Sequence, residues 1–171
     1  MKRTLKIISF LITFFLILSP ISLAGQFTVT RIYDGNTIKA KGHDIEIKVR
    51  LVGIGAPEIS RKKSQPGQSY SQQAKKFLAD LVLDKVVEIK EYGLDRYNRV
   101  LGVIYLYARN INLQMVRVGL AEVCRGKPPK GFDLTPYRDA EKEARAAKRG
   151  IWSLGDNYIS PKEGRRMQRG K

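Results

Sequence analysis

Cysteine and histidine are almost missing from this chain of 171 residues, which has Cys124 and His43 and no others of either type. A single cysteine cannot close an internal disulfide, so stability has to come from packing. A cysteine–histidine catalytic pair is disfavoured because His43 lies between Gly42 and Asp44 in a turn-forming stretch. The same position argues against His43 as a metal ligand, and Cys124 reads as a buried, inert thiol. Acidic residues are scarce too: 16 Asp and Glu face 32 Lys and Arg, for a net charge of +16. That excess favours polyanions, nucleic acid first and an anionic membrane surface second, without separating an enzyme from a binder. Internal repeats are absent.

Long apolar runs are also lacking, apart from residues 7–18. This run is short for a membrane span of roughly 20 residues. It follows Lys2, Arg3 and Lys6 and precedes Ser22, Leu23 and Ala24, the pattern of a cleavable export signal over residues 1–24. Gly25 is then the mature N-terminus, with an uncleaved anchor as the rival reading. Losing three cations and no acid takes the charge to +13. The expected destination is the periplasm or the exterior, and no span is expected in the mature form. Residues 25–155 make one domain with enough chain for a core, followed by a basic tail over 156–171.

What is present is mostly strand pattern. Residues 27–33 alternate, and 37–40 continue after an Asp34-Gly35 turn signal. Ile45, Ile47, Val49 and Leu51 alternate with Glu46, Lys48 and Arg50, a half-buried strand with Arg50 on its polar side. Residues 41–44 fit a hairpin turn. Residues 59–68, with Arg61, Lys62, Lys63, Pro66 and Gly67, read as an exposed loop. A helix follows over 69–83, with Ala74, Phe77, Leu78, Leu81 and Val82 on one stripe. Strands are expected at 86–90 and 100–107, the second preceded by a polar turn at 95–98.

A short helix suits 112–120, ended by Gly119. Another suits 136–149, with Thr135 as N-cap, Pro136 first and Gly150 as the stop. Ile151 and Trp152 are expected to fold back as apolar anchors. The tail from Pro161 carries Lys162, Arg165, Arg166, Arg169 and Lys171 against Glu163; it reads as mobile and as a source of non-specific phosphate attraction. Five short strands with a helix after the third indicate an α+β fold, closed as a small twisted barrel with about three packed helices.

Three segments carry chemistry: Asp34-Gly35-Asn36-Thr37, the run from Arg50 to Glu58, and Asp95-Arg96-Tyr97-Asn98-Arg99. A phosphodiester repels nucleophiles by its own charge and concentrates more on its oxygens in the transition state. Its hydrolysis therefore needs cations aimed at those oxygens and a group acting on water, often with a metal as Lewis acid. Arginine suits the first task, since its planar fork grips two oxygens and stays protonated. Glu58, behind Pro57, suits the second. Taken singly, Arg50 is as well explained as a solvated strand charge, Glu58 as a loop cap, Arg99 as a partner of Asp95, and Tyr97 as a turn aromatic.

Together with Gly119-Leu120-Ala121 and Gly150-Ile151-Trp152-Ser153, these segments, in this order over residues 27–153, resemble the thermonuclease (staphylococcal-nuclease-like) family. The resemblance implies a five-stranded OB-fold barrel with helices, and an endonuclease that cleaves DNA and RNA with calcium. Arg50 and Arg99 would then neutralise the scissile phosphate, and Glu58 would position or polarise the attacking water. Arg96 and Tyr97 would flank the nucleotide, and Lys62 and Lys63 would guide the strand. No stable protein partner is implied, and a monomer is the default.

Two positions depart from the family pattern. Calcium-binding aspartates are expected where this chain has Asn36 and Gly55. Asn36 keeps a neutral carbonyl oxygen and Gly55 keeps no side chain, while the Ala56 carbonyl, Asp34 and Glu58 survive. Calcium takes six to eight oxygens and is tuned by ligand charge, so weaker calcium binding is expected. An enzyme needing high calcium or another ion, slow metal-free hydrolysis, and a nucleic-acid-binding module without turnover all follow as alternatives. Use of the charge on anionic lipid is the least economical reading.

Overall fold

The computed structural model describes residues 25–60 and 66–169, so the expected export signal over 1–24, Lys62 and Lys63 lie outside the described residues. Among the described residues eight strands are formed: β1 (Gln26–Asp34), β2 (Thr37–Gly42), β3 (Ile45–Leu51), β4 (Ile54–Gly55), β5 (Val86–Leu94), β6 (Val100–Leu106), β7 (Arg109–Asn110) and β8 (Glu122–Val123). The helices are α1 (Ser71–Val82), α2 (Ile111–Arg117), α3 (Thr135–Ala146) and α4 (Pro161–Arg169), with a 3-10 segment at Gly150–Asn157.

Five strands run in the order β3-β2-β1-β5-β6, and β3 pairs in parallel with β6 to close the barrel. Closure needs the two backbones close together, and Gly102 permits it: a Cβ there would lie 2.9 Å from Val49 Cγ1 and 3.0 Å from Ile89 Cγ2. Register shifts in β1 and in β5 near Gly93 bend the long strands enough to join two faces. The β2–β3 hairpin turns through His43 and Asp44, both with positive φ, the geometry of a two-residue turn.

Val29, Ile38, Val49, Leu51 and Ile104 fill the interior, while α1 covers it with Ala74, Leu78 and Val82 and α2 adds Ile111 and Met115. Asn112, fully buried on α2, ties that helix to the closure: its amide nitrogen donates to the carbonyls of Val52 and Gly102, both at 3.0 Å. Its amide oxygen accepts from the Ile104 N–H at 3.1 Å. This α+β barrel with packed helices is the expected OB fold.

Several local expectations shift. Ile45, at the strand end, is exposed, so the apolar face of β3 begins only near Ile47. Thr135 is not a side-chain cap: its N–H donates to Asp133 Oδ1 at 2.8 Å, and α3 stops at Ala146. Gly150 therefore does not end the helix. It lies against Gly119 so closely that a Cβ on either would approach backbone oxygen to 2.2 Å, and Ile151 N–H donates to the Gly119 carbonyl at 2.8 Å. Ile151 and Trp152 are buried beyond it, as expected. Cys124 is exposed rather than buried, because it follows β8 onto the surface.

The tail from Pro161 is the largest correction, since it forms a helix docked on the barrel instead of a mobile tail. Pro161 and Gly164 are its buried contacts, and polar groups do most of the rest, which no apolar periodicity records. Among the described residues, no helix is long and apolar enough to cross a membrane.

Candidate active site

A cleft of about 1120 Å³ opens at the rim of the barrel. The end of β1 contributes Asp34, β3 contributes Arg50 and Lys48, and the segment after β4 contributes Glu58. The β5–β6 turn contributes Arg96, Tyr97 and Arg99, and α4 closes the far side with Lys162, Arg165 and Arg166. Among the described residues, seven Lys and Arg thus face three Asp and Glu, which makes the cleft a receptor for anions.

Arg50 is held by the barrel. Its Nη1 donates to Asn36 Oδ1 at 2.9 Å and its Nη2 to the Ile54 carbonyl at 3.5 Å. Burial lowers the guanidinium pKa, and nearby Asp34 works against that, while Arg99 and Arg165 add repulsion. The group stays charged, because arginine starts far above neutral pH.

Arg99 is held by its own turn. Its Nε and Nη2 donate to Asp95 Oδ2 at 2.8 and 2.6 Å, and Asp95 Oδ1 accepts the backbone N–H groups of Tyr97 and Arg99. Desolvation pushes the Asp95 pKa up, but the hydrogen bonds from Arg99 and from the two backbone groups outweigh it and leave it lowered. The expected Asp95 pairing and a cleft-lining Arg99 therefore coexist. Tyr97 is exposed beside both arginines, 4.9 Å from the Arg96 guanidinium and 5.4 Å from that of Arg99. Such a flat, positively framed ring suits stacking with a base.

Glu58 is fixed at both ends. Its N–H donates to Gln68 Oε1 at 2.8 Å, and its carboxylate is ion-paired with Arg165 Nη1. Gln68 also donates through Nε2 to the carbonyls of Ile159 (3.0 Å) and Ser160 (3.2 Å), just ahead of α4. One amide thus joins the segment carrying Glu58 to the helix carrying Arg165. The sequence reading missed both Gln68 and the site role of Arg165. The one signal was the cluster of basic residues after Pro161, and it does not say where the cluster packs.

The fold brings Asp34, Asn36, Arg50, Glu58, Arg96, Tyr97 and Arg99 to one end of the barrel, and Gly55 and Ala56 lie buried beside them. A closed OB barrel with a cationic cleft at its rim is a nucleic-acid-binding architecture. The chain belongs to the staphylococcal nuclease homologue family, whose pattern matches residues 48–154. It is 39% identical over 144 residues to a Haemophilus influenzae protein named "Uncharacterized endonuclease", covering 82% of this chain and 73% of that one. A Shigella flexneri protein named "Micrococcal nuclease" is 39% identical over 136 residues, 73% of this chain and 72% of that protein. A Komagataella phaffii protein named "Probable endonuclease LCL3" is 33% identical over 127 residues, where the match covers 71% of this chain but only 55% of the relative.

The calcium implied by the family does not fit the donors at these positions. Asn36 is buried, with its oxygen bonded to Arg50 and its Nδ2 donating to the Ile54 carbonyl at 3.3 Å. Asp34 Oδ1 accepts from the Asn36 N–H at 2.9 Å. A side chain at Gly55 would meet the Pro161 ring and Glu122, with a Cβ already 3.6 and 3.7 Å from them. Glu122 itself accepts from the Tyr158 hydroxyl at 2.6 Å, and burial raises its pKa against the lowering effect of that bond. No group of three or more His, Cys, Asp or Glu that could hold a metal occurs among the described residues.

Proposed function

We propose that this chain is an exported endonuclease that hydrolyses phosphodiester bonds in DNA and RNA. Arg50 and Arg99 grip the scissile phosphate, and Glu58 orients or activates the attacking water. The observation that carries this reading is the convergence of two arginines and one carboxylate from three separate segments on a single basic cleft. Each arginine arrives pre-oriented by hydrogen bonds, which is how a site lowers the cost of meeting a developing charge. Arg96 and Tyr97 supply the nucleotide platform. Backbone contacts of this type carry no base information, so cleavage is expected to be tolerant of sequence. Family membership and the endonuclease names of the relatives support the assignment to hydrolases.

The alternative is a secreted nucleic-acid-binding module, favoured by one observation: the Glu58 carboxylate is already occupied by Arg165. A pure binder, however, gains nothing from an anion beside a phosphate. Cleavage of single-stranded DNA by purified protein, with calcium titrated from chelator to millimolar, separates the two. Glu58→Gln is expected to abolish cleavage while sparing or tightening DNA binding. Tight binding without cleavage at any calcium level would establish the module instead.

A further inference from the structure

Arg165 reaches the cleft from a helix that the family pattern, ending at residue 154, does not include. We propose that Arg165 is a positioning residue for Glu58 and a ligand of the substrate phosphate, and that it supplies the cation that makes cleavage by this chain independent of calcium. The proposal rests on the nuclease reading given above.

Charge balance asks for such a group. A carboxylate that must act on water beside a phosphodiester is repelled by it, so a productive site needs a cation between the two anions. The residues that would anchor a divalent ion are an asparagine committed to Arg50 and a glycine. Arg165 occupies the required place in a different way, since its Nη1 is bonded to Glu58 while the side chain lines the same cleft as Arg50 and Arg99. A guanidinium has five N–H donors in one plane, so the edge that holds a carboxylate leaves others for a phosphate oxygen. Both partners are partly shielded, Glu58 at 20% and Arg165 at 34% side-chain exposure, which strengthens the pair relative to a surface bridge.

Packing brings α4 close to the family metal position: a Cβ at residue 55 would sit in ordinary contact, 3.6 Å from Pro161, the first residue of the helix. Gly164 lies against the Gln68 amide, where a Cβ would come within 2.3 Å of Gln68 Cδ.

The sign of the helix argues against occlusion by mimicry. A segment that blocks a phosphate site in that way has to be anionic. Here α4 brings Lys162, Arg165 and Arg166 to the cleft, which stays open at about 1120 Å³ with the helix as its wall. A polyanion is attracted to such a wall and is not displaced by it.

The test is cleavage of a single-stranded DNA oligonucleotide in excess chelator by the purified protein and three variants. Binding of the same oligonucleotide is measured in the Glu58→Gln background. Arg165→Ala is expected to lower the chelator-resistant kcat by about 100-fold, the scale for losing one charge-stabilising donor. Arg165→Lys is expected to recover part of it, because it restores charge without the fork. Gly164→Val leaves every charge in place but displaces the Gln68 amide from its bonds to Glu58 and to the start of α4; a loss of about tenfold or more there, with the unfolding midpoint little changed, separates docking from folding. Arg165→Ala cleaving as fast as the parent, or faster, would overturn the proposal while leaving the nuclease reading intact. So would a parent protein that cleaves only when calcium is added. A parent that cleaves under no condition would overturn the nuclease reading itself.

Discussion

The two walls of the cleft hold their arginines by different physics. On the barrel wall, Arg50 sits on β3, paired across the closure to Leu101, and its guanidinium is hydrogen-bonded to a buried asparagine. Its place is guaranteed by the same apolar interior that keeps Val49 and Leu51 out of water. On the helix wall, Arg165 is held by its ion pair to Glu58, by Gln68 and by the seats of Pro161 and Gly164. One wall is tied into the apolar core; the other rests on polar contacts at the surface, the kind expected to open at smaller cost. The lesson is that a site can take its rigid half from the core and its adaptable half from polar docking.

The strongest way to break the comparison is on the barrel side. Arg50→Gln should reduce single-stranded DNA cleavage by about 100-fold or more, measured as initial rates at saturating substrate. Next in size, Asn112→Ala should destabilise the barrel by about 3 kcal/mol in urea titration, because Val52, Gly102 and Ile104 each lose a buried partner. The helix side should behave oppositely. Ending the chain after Ser160 should cost only about 1 kcal/mol of barrel stability while removing most chelator-resistant activity. Equal losses of stability from Asn112→Ala and from the truncation would show that the two walls are a single cooperative unit.

Acid sharpens the contrast more gently. The folded-state pKa of Asp95 lies below its ordinary 3.8, so its ionised form favours the native state. That contribution is complete above the unfolded value and fades as pH falls through the lower folded one. The stability gap between the parent and Asp95→Asn should therefore hold from pH 7 to about 4 and shrink below it. Smallest of all, Lys39→Ala breaks an exposed bridge to Glu46 and should change stability by no more than about 0.5 kcal/mol.

The barrel wall was legible in the sequence and the helix wall was not. Alternation at Ile47, Val49 and Leu51 marks β3, and the turn chemistry of Gly42, His43 and Asp44 marks its hairpin, because both rest on local rules of burial and φ. Arg50, Glu58 and Arg99 could be singled out only through the resemblance of their motifs to the family, because each taken singly has an ordinary structural reading. Gln68 and Arg165 are 97 residues apart in sequence yet meet Glu58 together, through single polar contacts that leave no period to detect. Gly150 misleads for a related reason: a glycine after a helix looks like a stop, and only its backbone contact with Gly119 distinguishes it. Cys124 is expected inside because cysteine usually is, but no local pattern places it on a strand face.

The parallel pairing of β3 with β6 has a consequence in time. Arg50 acquires its cleft position only when strands separated by roughly 50 residues have met, a closure whose entropy is spent before any contact repays it. Refolding should therefore show no gradual return of catalysis as secondary structure accumulates. Activity should reappear in one late phase, when β3 has paired with β6.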